Sequence, residues 1–220
     1  MRASSSQIKE GMYLADIGVK CPSCGVKFNS RQIAVSIDTG RRNSELRQDF
    51  EGRAEQYEPY SVCTCPSCGR ADWIARFEAT TELATLNQPN STPHLQYRAA
   101  ALAAERSGRD FYNVGLLYLH AAWCADDNRA YPQAREYRRL SADSFRKSLF
   151  DVSCPVDQRM EIEYLIGELL RRSGDFEACK VHLRGVIPHL SAKYAYMARK
   201  LMRLAENGNV ESIRFENEGV

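Results

Sequence analysis

The pentapeptide CPSCG occurs twice, at Cys21–Gly25 and again at Cys65–Gly69, and it constrains the fold more than any other feature of the chain. In each copy two thiols bracket a tight turn. Proline presets the backbone angle of the turn, and glycine tolerates the positive φ needed just after the second cysteine. Backbone N–H groups then point at the sulfurs. One such knuckle is half of a tetrahedral metal site. Two knuckles supply Cys21, Cys24, Cys65 and Cys68, a complete set of four thiolates at about 2.3 Å from a metal. With no histidine or carboxylate ligand the set is closed to water and substrate, so it reads as structural. Zinc is favoured over iron, although rubredoxins also use paired C-x-x-C-G knuckles. A dithiol redox role is outweighed by the matching of the two pairs.

The knuckles are forty residues apart, wider than the ~15–20 of common zinc ribbons. The spacing is affordable in free energy: loop closure costs only ~0.6 kcal/mol per doubling of length, against ~10–16 kcal/mol for structural zinc. The gap must hold structure of its own. Gln32–Ile37 and Tyr60–Cys63 read as strands, and the charged stretch Arg41–Tyr57 as a loop or short helix. Cys63 lies two residues before Cys65 and reads as a bystander. Cys124, Cys154 and Cys179 have no partner motif and read as small buried residues.

Eight cysteines in a chain whose start, MRASSSQIKEGMYL, has no signal-like apolar core point to metal in a reducing cytoplasm rather than to disulfides. No stretch approaches ~18 apolar residues, so no membrane insertion is expected. Lys and Arg number 30 and Asp and Glu 28, a net charge of +2. The first 85 residues carry eleven of each sign. That balance lacks the electrostatic footprint of a nucleic-acid binder.

Composition divides the chain. Residues 8–85 hold both knuckles and read as a zinc-ribbon-like module. Residues 86–93 are turn formers and read as a linker. Residues 94–206 read as all helix and 207–220 as a polar, frayed tail. Six helices are expected, at about 94–106, 110–125, 132–150, 156–172, 176–190 and 192–206. Asp110 and Asp175 are their N-caps and Pro132 sits in a first turn. The second, FYNVGLLYLHAAWCA, is apolar nearly all round and should be buried. The third carries an apolar stripe of Ala134, Tyr137, Leu140, Phe145 and Leu149. The overall class is α+β.

From Ile166 the sequence resembles a tetratricopeptide repeat. Gly167 stands where that motif wants a small residue for close helix approach. Gly174-Asp175 supplies the turn, Cys179 the small position of the second helix, and Leu183 and Val186 the later packing positions. Glu163 stands where an aromatic is usual. A looser copy runs from Val114 through Ala134 and Tyr137, with a longer turn.

Nothing in the sequence supports catalysis. His94, His120, His182 and His189 form no metal or triad pattern, and no phosphate loop, G-x-S-x-G or H-E-x-x-H occurs. Arg135, Arg138 and Arg139, with Arg171 and Arg172, read as solvated faces; a basic groove for an acidic peptide is the alternative.

Two CPSCG units, a second knuckle entered by YSVCT, and helices containing LYLHAAW together resemble an uncharacterised bacterial family that joins a zinc-ribbon-like N-terminus to tetratricopeptide-like repeats. The likeness covers about residues 15–200. It implies a cytoplasmic location, zinc on the four knuckle cysteines, and no known reaction. Arg70-Ala71-Asp72-Trp73 departs from it, since an aromatic directly after the knuckle glycine is usual. The expectation is a non-enzymatic, zinc-binding scaffold whose repeats bind a protein or peptide. A nucleic-acid adaptor working through the ribbon, and a rubredoxin-like iron module, are the alternatives.

Overall fold

The structure, a computed structural model, describes residues 12–36, 42–48 and 58–214. Each knuckle is the turn of a β-hairpin. Met12–Lys20 (β1) and Lys27–Ser36 (β2) pair antiparallel around the first, with Lys20 opposite Lys27. Val62–Thr64 (β3) and Ala71–Trp73 (β4) do the same around the second, with Thr64 opposite Ala71. Glu78–Thr80 (β5) adds to the free edge of β1, giving the order β2-β1-β5 beside the two-stranded β3-β4 sheet. Val19, Phe28, Cys63 and Phe77 fill the small core under the sulfurs, with the Phe28 and Phe77 rings edge to face at 5.6 Å.

The strand expected at Gln32–Ile37 is the end of the longer β2, and Ile37 lies outside the described residues. The strand expected at Tyr60–Cys63 starts later, because Glu58–Tyr60 forms a single 3₁₀ turn before β3. Of the charged stretch Arg41–Tyr57, residues 42–48 are described. They form a tight hairpin: Arg42 bridges Gln48, and the Asn43 Oδ1 accepts from the Glu45 and Arg47 N–H groups.

Six helices follow: Pro93–Arg106 (α1), Phe111–Asp127 (α2), Tyr131–Phe150 (α3), Arg159–Ser173 (α4), Phe176–Val186 (α5) and Ala192–Glu206 (α6). Their ends follow local chemistry. The Asp110 carboxylate accepts from Asn113 N–H at 2.8 Å and the Asp175 carboxylate from Ala178 N–H at 3.3 Å. Gly174 closes α4 in the left-handed region at φ 88°. The fourth and fifth helices are shorter than the sequence suggests. Val156–Gln158 and Ile187–His189 are 3₁₀ turns, the second carrying Pro188, which has no N–H to continue an α-helix.

Successive helices pack on one another, and α6 returns to contact both α4 and α5. Two glycines set the closest approaches. A Cβ on Gly167 would stand 2.2 Å from Leu183, and one on Gly115 would stand 2.5 Å from Phe145. The close approach expected at Gly167 is made against Leu183 of α5. Gly115 of α2 meets Phe145 of α3. Of the apolar stripe on α3, Ala134, Tyr137 and Phe145 are fully buried, while Leu140 and Leu149 are partly so. No helix among the described residues is long and apolar enough to cross a membrane.

Two expectations about charge fail. Arg138 and Arg171 are not on a solvated face; they are 1% and 0% exposed. The reason is a long-range partner. The hairpin 42–48 pushes its tip between the helices, where Glu45, 0% exposed, receives Arg138 Nε and Nη2 at 2.7 and 2.8 Å and also pairs with Arg172. Asp126 completes this network from α2. Nor is the tail frayed over Asn209–Arg214. Arg171 donates to the Asn209 and Glu211 carbonyls and Arg172 to that of Val210. The Ser44 N–H meets the Ile213 carbonyl at 2.7 Å, and Asn43 bridges Arg214.

The second β-hairpin and the helices share a core. Val62 and Ala71 belong to one apolar cluster with Tyr97, Ala101, Leu117 and Ala121. The Tyr97 hydroxyl donates to the Glu58 carbonyl at 2.8 Å. Within 86–93, Leu86 and Gln88 hydrogen-bond the backbone of Asn29 at 2.7 and 2.9 Å.

Candidate metal centre

The two knuckles are backbone copies of each other. In the first, Cys21 N–H donates to the Val26 carbonyl and Gly25 N–H to the Cys21 carbonyl, both at 2.9 Å. In the second, Cys65 N–H donates to Arg70 at 2.9 Å and Gly69 N–H to Cys65 at 3.1 Å. Gly25 and Gly69 take φ of 75° and 73°, with open space where a Cβ would be. Glycine is therefore needed for backbone conformation, not for room.

The hairpins face each other so that Cys21, Cys24, Cys65 and Cys68 bring their sulfurs within 4.8 Å of one another. The closest contacts cross between knuckles: Cys21 to Cys68 at 3.7 Å and Cys24 to Cys65 at 3.6 Å. These are far beyond the ~2.05 Å of a disulfide. They match the edge of about 3.8 Å that a tetrahedron of sulfurs has around a metal at ~2.3 Å. The four-sulfur set could hold a metal ion. The leading cysteine of each pair, Cys21 and Cys65, is buried, and the trailing one, Cys24 and Cys68, is exposed.

The local electrostatics favour thiolates at first and then resist them. The Val26 N–H, pointing at the Cys24 sulfur, lowers that thiol to about 7. The Arg70 N–H does the same for Cys68, but burial and the three neighbouring sulfurs push it up to about 12. A cation at the centre would relieve that competition. Cys63 is not part of the cluster. It sits in the core beneath it, pushed up to about 12 by burial and then by Asp72 and the neighbouring thiols. Cys124, Cys154 and Cys179 are buried among the helices, apart from the sulfur set.

The departure at Arg70-Ala71-Asp72 has a structural use. Arg70 spans both knuckles, donating to the Ser23 hydroxyl at 2.8 Å and to Asp72 at 3.1 Å. Asp72 also receives both arms of Arg109, from the α1–α2 turn, at 2.8 and 2.7 Å. This clasp ties the second knuckle to the helices. Sequence reading missed it; the only signal was an acid in a strand position beside the knuckle.

His120 is not a ligand. Its ring packs against Trp73, Tyr97 and Trp123 at 5.0, 5.3 and 4.8 Å, where β4 meets α1 and α2. Burial, helped by Arg47, holds its imidazole down to about 3. Neither His120 Nδ1 nor Trp123 Nε1 has a hydrogen-bond partner among the described residues.

A family model described as "uncharacterized protein conserved in bacteria (DUF2225)" matches residues 91–208. That stretch is more than half of the chain. The chain belongs to this family. The match spans α1 to α6 and begins after the knuckles, so the helices carry DUF2225 membership here and the sulfur site lies outside the matched stretch. No curated protein and no solved structure matches the chain.

Proposed function

We propose that this protein is a non-enzymatic, zinc-holding interaction protein of the reducing cytoplasm, in which a structural Cys₄ site fixes an N-terminal module against tetratricopeptide-like helices that bind a protein or peptide. The observation that carries this reading is the sulfur set itself. Two knuckles with the same backbone hydrogen bonds bring four sulfurs within 4.8 Å of one another, with the cross-knuckle pairs at 3.6 and 3.7 Å. A metal held by four protein thiolates has no position left for water or substrate. Zinc suits such a set and needs no redox partner. Eight cysteines with no disulfide suit a reducing compartment. The tetratricopeptide reading is supported by the Gly167–Leu183 contact, the Gly174-Asp175 turn, and the return of α6 onto α4 and α5. Stacked helix pairs present extended surfaces rather than catalytic pockets.

Elemental analysis of the purified protein tests the metal. We expect one zinc per chain and no visible absorption. Cys21→Ser and Cys65→Ser should each lose the zinc and lower the thermal midpoint. A coloured, iron-loaded protein, or a Cys65→Ser variant that keeps zinc and melts unchanged, would contradict the assignment.

A further inference from the structure

The interaction reading above leaves the binding surface open, and the structure narrows it. Of the arginines that could have lined a basic groove, Arg138 and Arg172 are taken up by the chain's own Glu45 and Arg171 by Glu168. A different surface remains. Between the second knuckle and α1 lies an open groove of about 640 Å³. One wall is the knuckle segment Cys68–Ala71. The other is the outer face of α1, where Leu95, Ala99, Leu102 and Ala103 line the groove. Leu95 is 50% exposed. The opposite face of α1 is the buried one, with Tyr97, Ala100, Ala101 and Ala104 in the core.

The spacing 95, 99, 102, 106 alternates steps of four and three, which is the seam one helix offers another. Ala99 and Ala103 let a partner backbone come close. The charges on this face have one sign. Arg98 and Arg106 both line the groove, and neither makes an ion pair among the described residues. Eight residues apart, they stand about 12 Å from each other along the axis. Glu105, the acid of α1, interacts with Tyr118 instead. Arg70 in the knuckle wall is already engaged by Ser23 and Asp72.

We propose that this groove docks an amphipathic helix of a partner protein, with apolar residues on one stripe and two carboxylates seven or eight residues apart. This rests on the interaction reading and specifies its surface and partner chemistry. Charge complementarity selects the occupant. A second copy of this chain would set Arg98 and Arg106 against their own equivalents. A single-stranded nucleic acid would want aromatic side chains for its bases to stack on, and the groove lining has none.

The test uses the full, metal-loaded chain as bait for a displayed library of random 16-residue peptides. The expected winners are acidic amphipathic helices. Their affinity should fall about tenfold or more on the double variant Arg98→Glu, Arg106→Glu, with an unchanged melting temperature, and should return when the peptide carboxylates are replaced by lysine. Winners that ignore the double variant would overturn the groove but leave the interaction reading standing. A library yielding no binder at all would remove both. Displacement of the peptides by an oligouridine probe, or a concentration-dependent dimer abolished by the double variant, would assign the groove to RNA or to a second copy and end the proposal.

Discussion

At the residue scale, several positions in this chain are fixed by backbone or contact rather than by chemistry. Gly167 is the clearest. A methyl there would fall 2.2 Å from the Leu183 side chain in the middle of the α4–α5 contact. Gly167→Ala should therefore destabilise the protein by about 1–3 kcal/mol through overpacking, despite alanine's better helix propensity. Adding Leu183→Ala should recover part of that loss, whereas Leu183→Ala alone should be destabilising. A double-mutant cycle from urea midpoints reads the coupling, and strict additivity would contradict the contact. This position was legible in sequence, because a glycine inside a strong helix former needs a packing reason. Asp72 was not. Its role depends on Arg109, which is 37 residues away and reaches it only after the helices have folded against the hairpin.

At the scale of elements, the hairpin 42–48 shows where sequence reading runs out. Its local signals were charge and a mixture of turn formers, which suit a loop. Its structure comes from Arg138, 93 residues on, and from the tail at Ile213. Arg138 on α3 was misread for the same reason: Arg135 and Arg139 beside it are exposed, and an arginine in such a run looks solvated until its acidic partner is known. The consequence is measurable. Burial opposes the Glu45 carboxylate, but Arg138 and Arg172 outweigh it and hold the group at about 2 against an ordinary 4.5. Between those values the unfolded chain binds a proton that the folded chain does not. The stability from Glu45 is therefore full above pH 4.5 and lost as pH falls toward 2, with a size of order 3 kcal/mol. Glu168 runs the other way, since burial pushes it up against the pull of Arg171. Glu45→Gln isolates the first effect. It should destabilise the protein at neutral pH and flatten the acid limb of its stability curve. Acid release of a metal held by the four cysteines would affect both proteins alike and cancel in the difference. An unchanged acid slope in the variant would contradict the buried ion pair.

His120 belongs to the same scale and has its own window. Its imidazole is held down to about 3 against an ordinary 6.5, so it contributes stability above pH 6.5 that is lost as pH falls. His120→Phe keeps the aromatic packing against Trp73 and Trp123 and removes the titration. Between pH 6.5 and 5 its unfolding midpoint should vary less than that of the wild type, and an equal decline in both would contradict a neutral buried imidazole.

At the scale of the whole molecule, the sequence separates a stretch holding the paired cysteines from a run of six helices, and the structure has both, but their union was not visible. The knuckles were legible because C-x-x-C-G states its own geometry, and most helix ends because Asp110, Gly174 and Asp175 mark them locally. The shared core was hidden, because nothing in β3 or β4 says that Val62 and Ala71 will pack against Tyr97 and Leu117. The strand β1 was hidden as well, its pairing with β2 being created by the knuckle between them. The structure makes the sulfur site a support for the first helices and not a separate appendage. The most direct measurement is hydrogen exchange on the intact chain before and after the metal is removed by a chelator. Protection should collapse at β3 and β4 and fall through α1 and the facing side of α2, while α5 and α6 keep theirs. Unchanged protection throughout α1 and β4 after complete metal removal would contradict this.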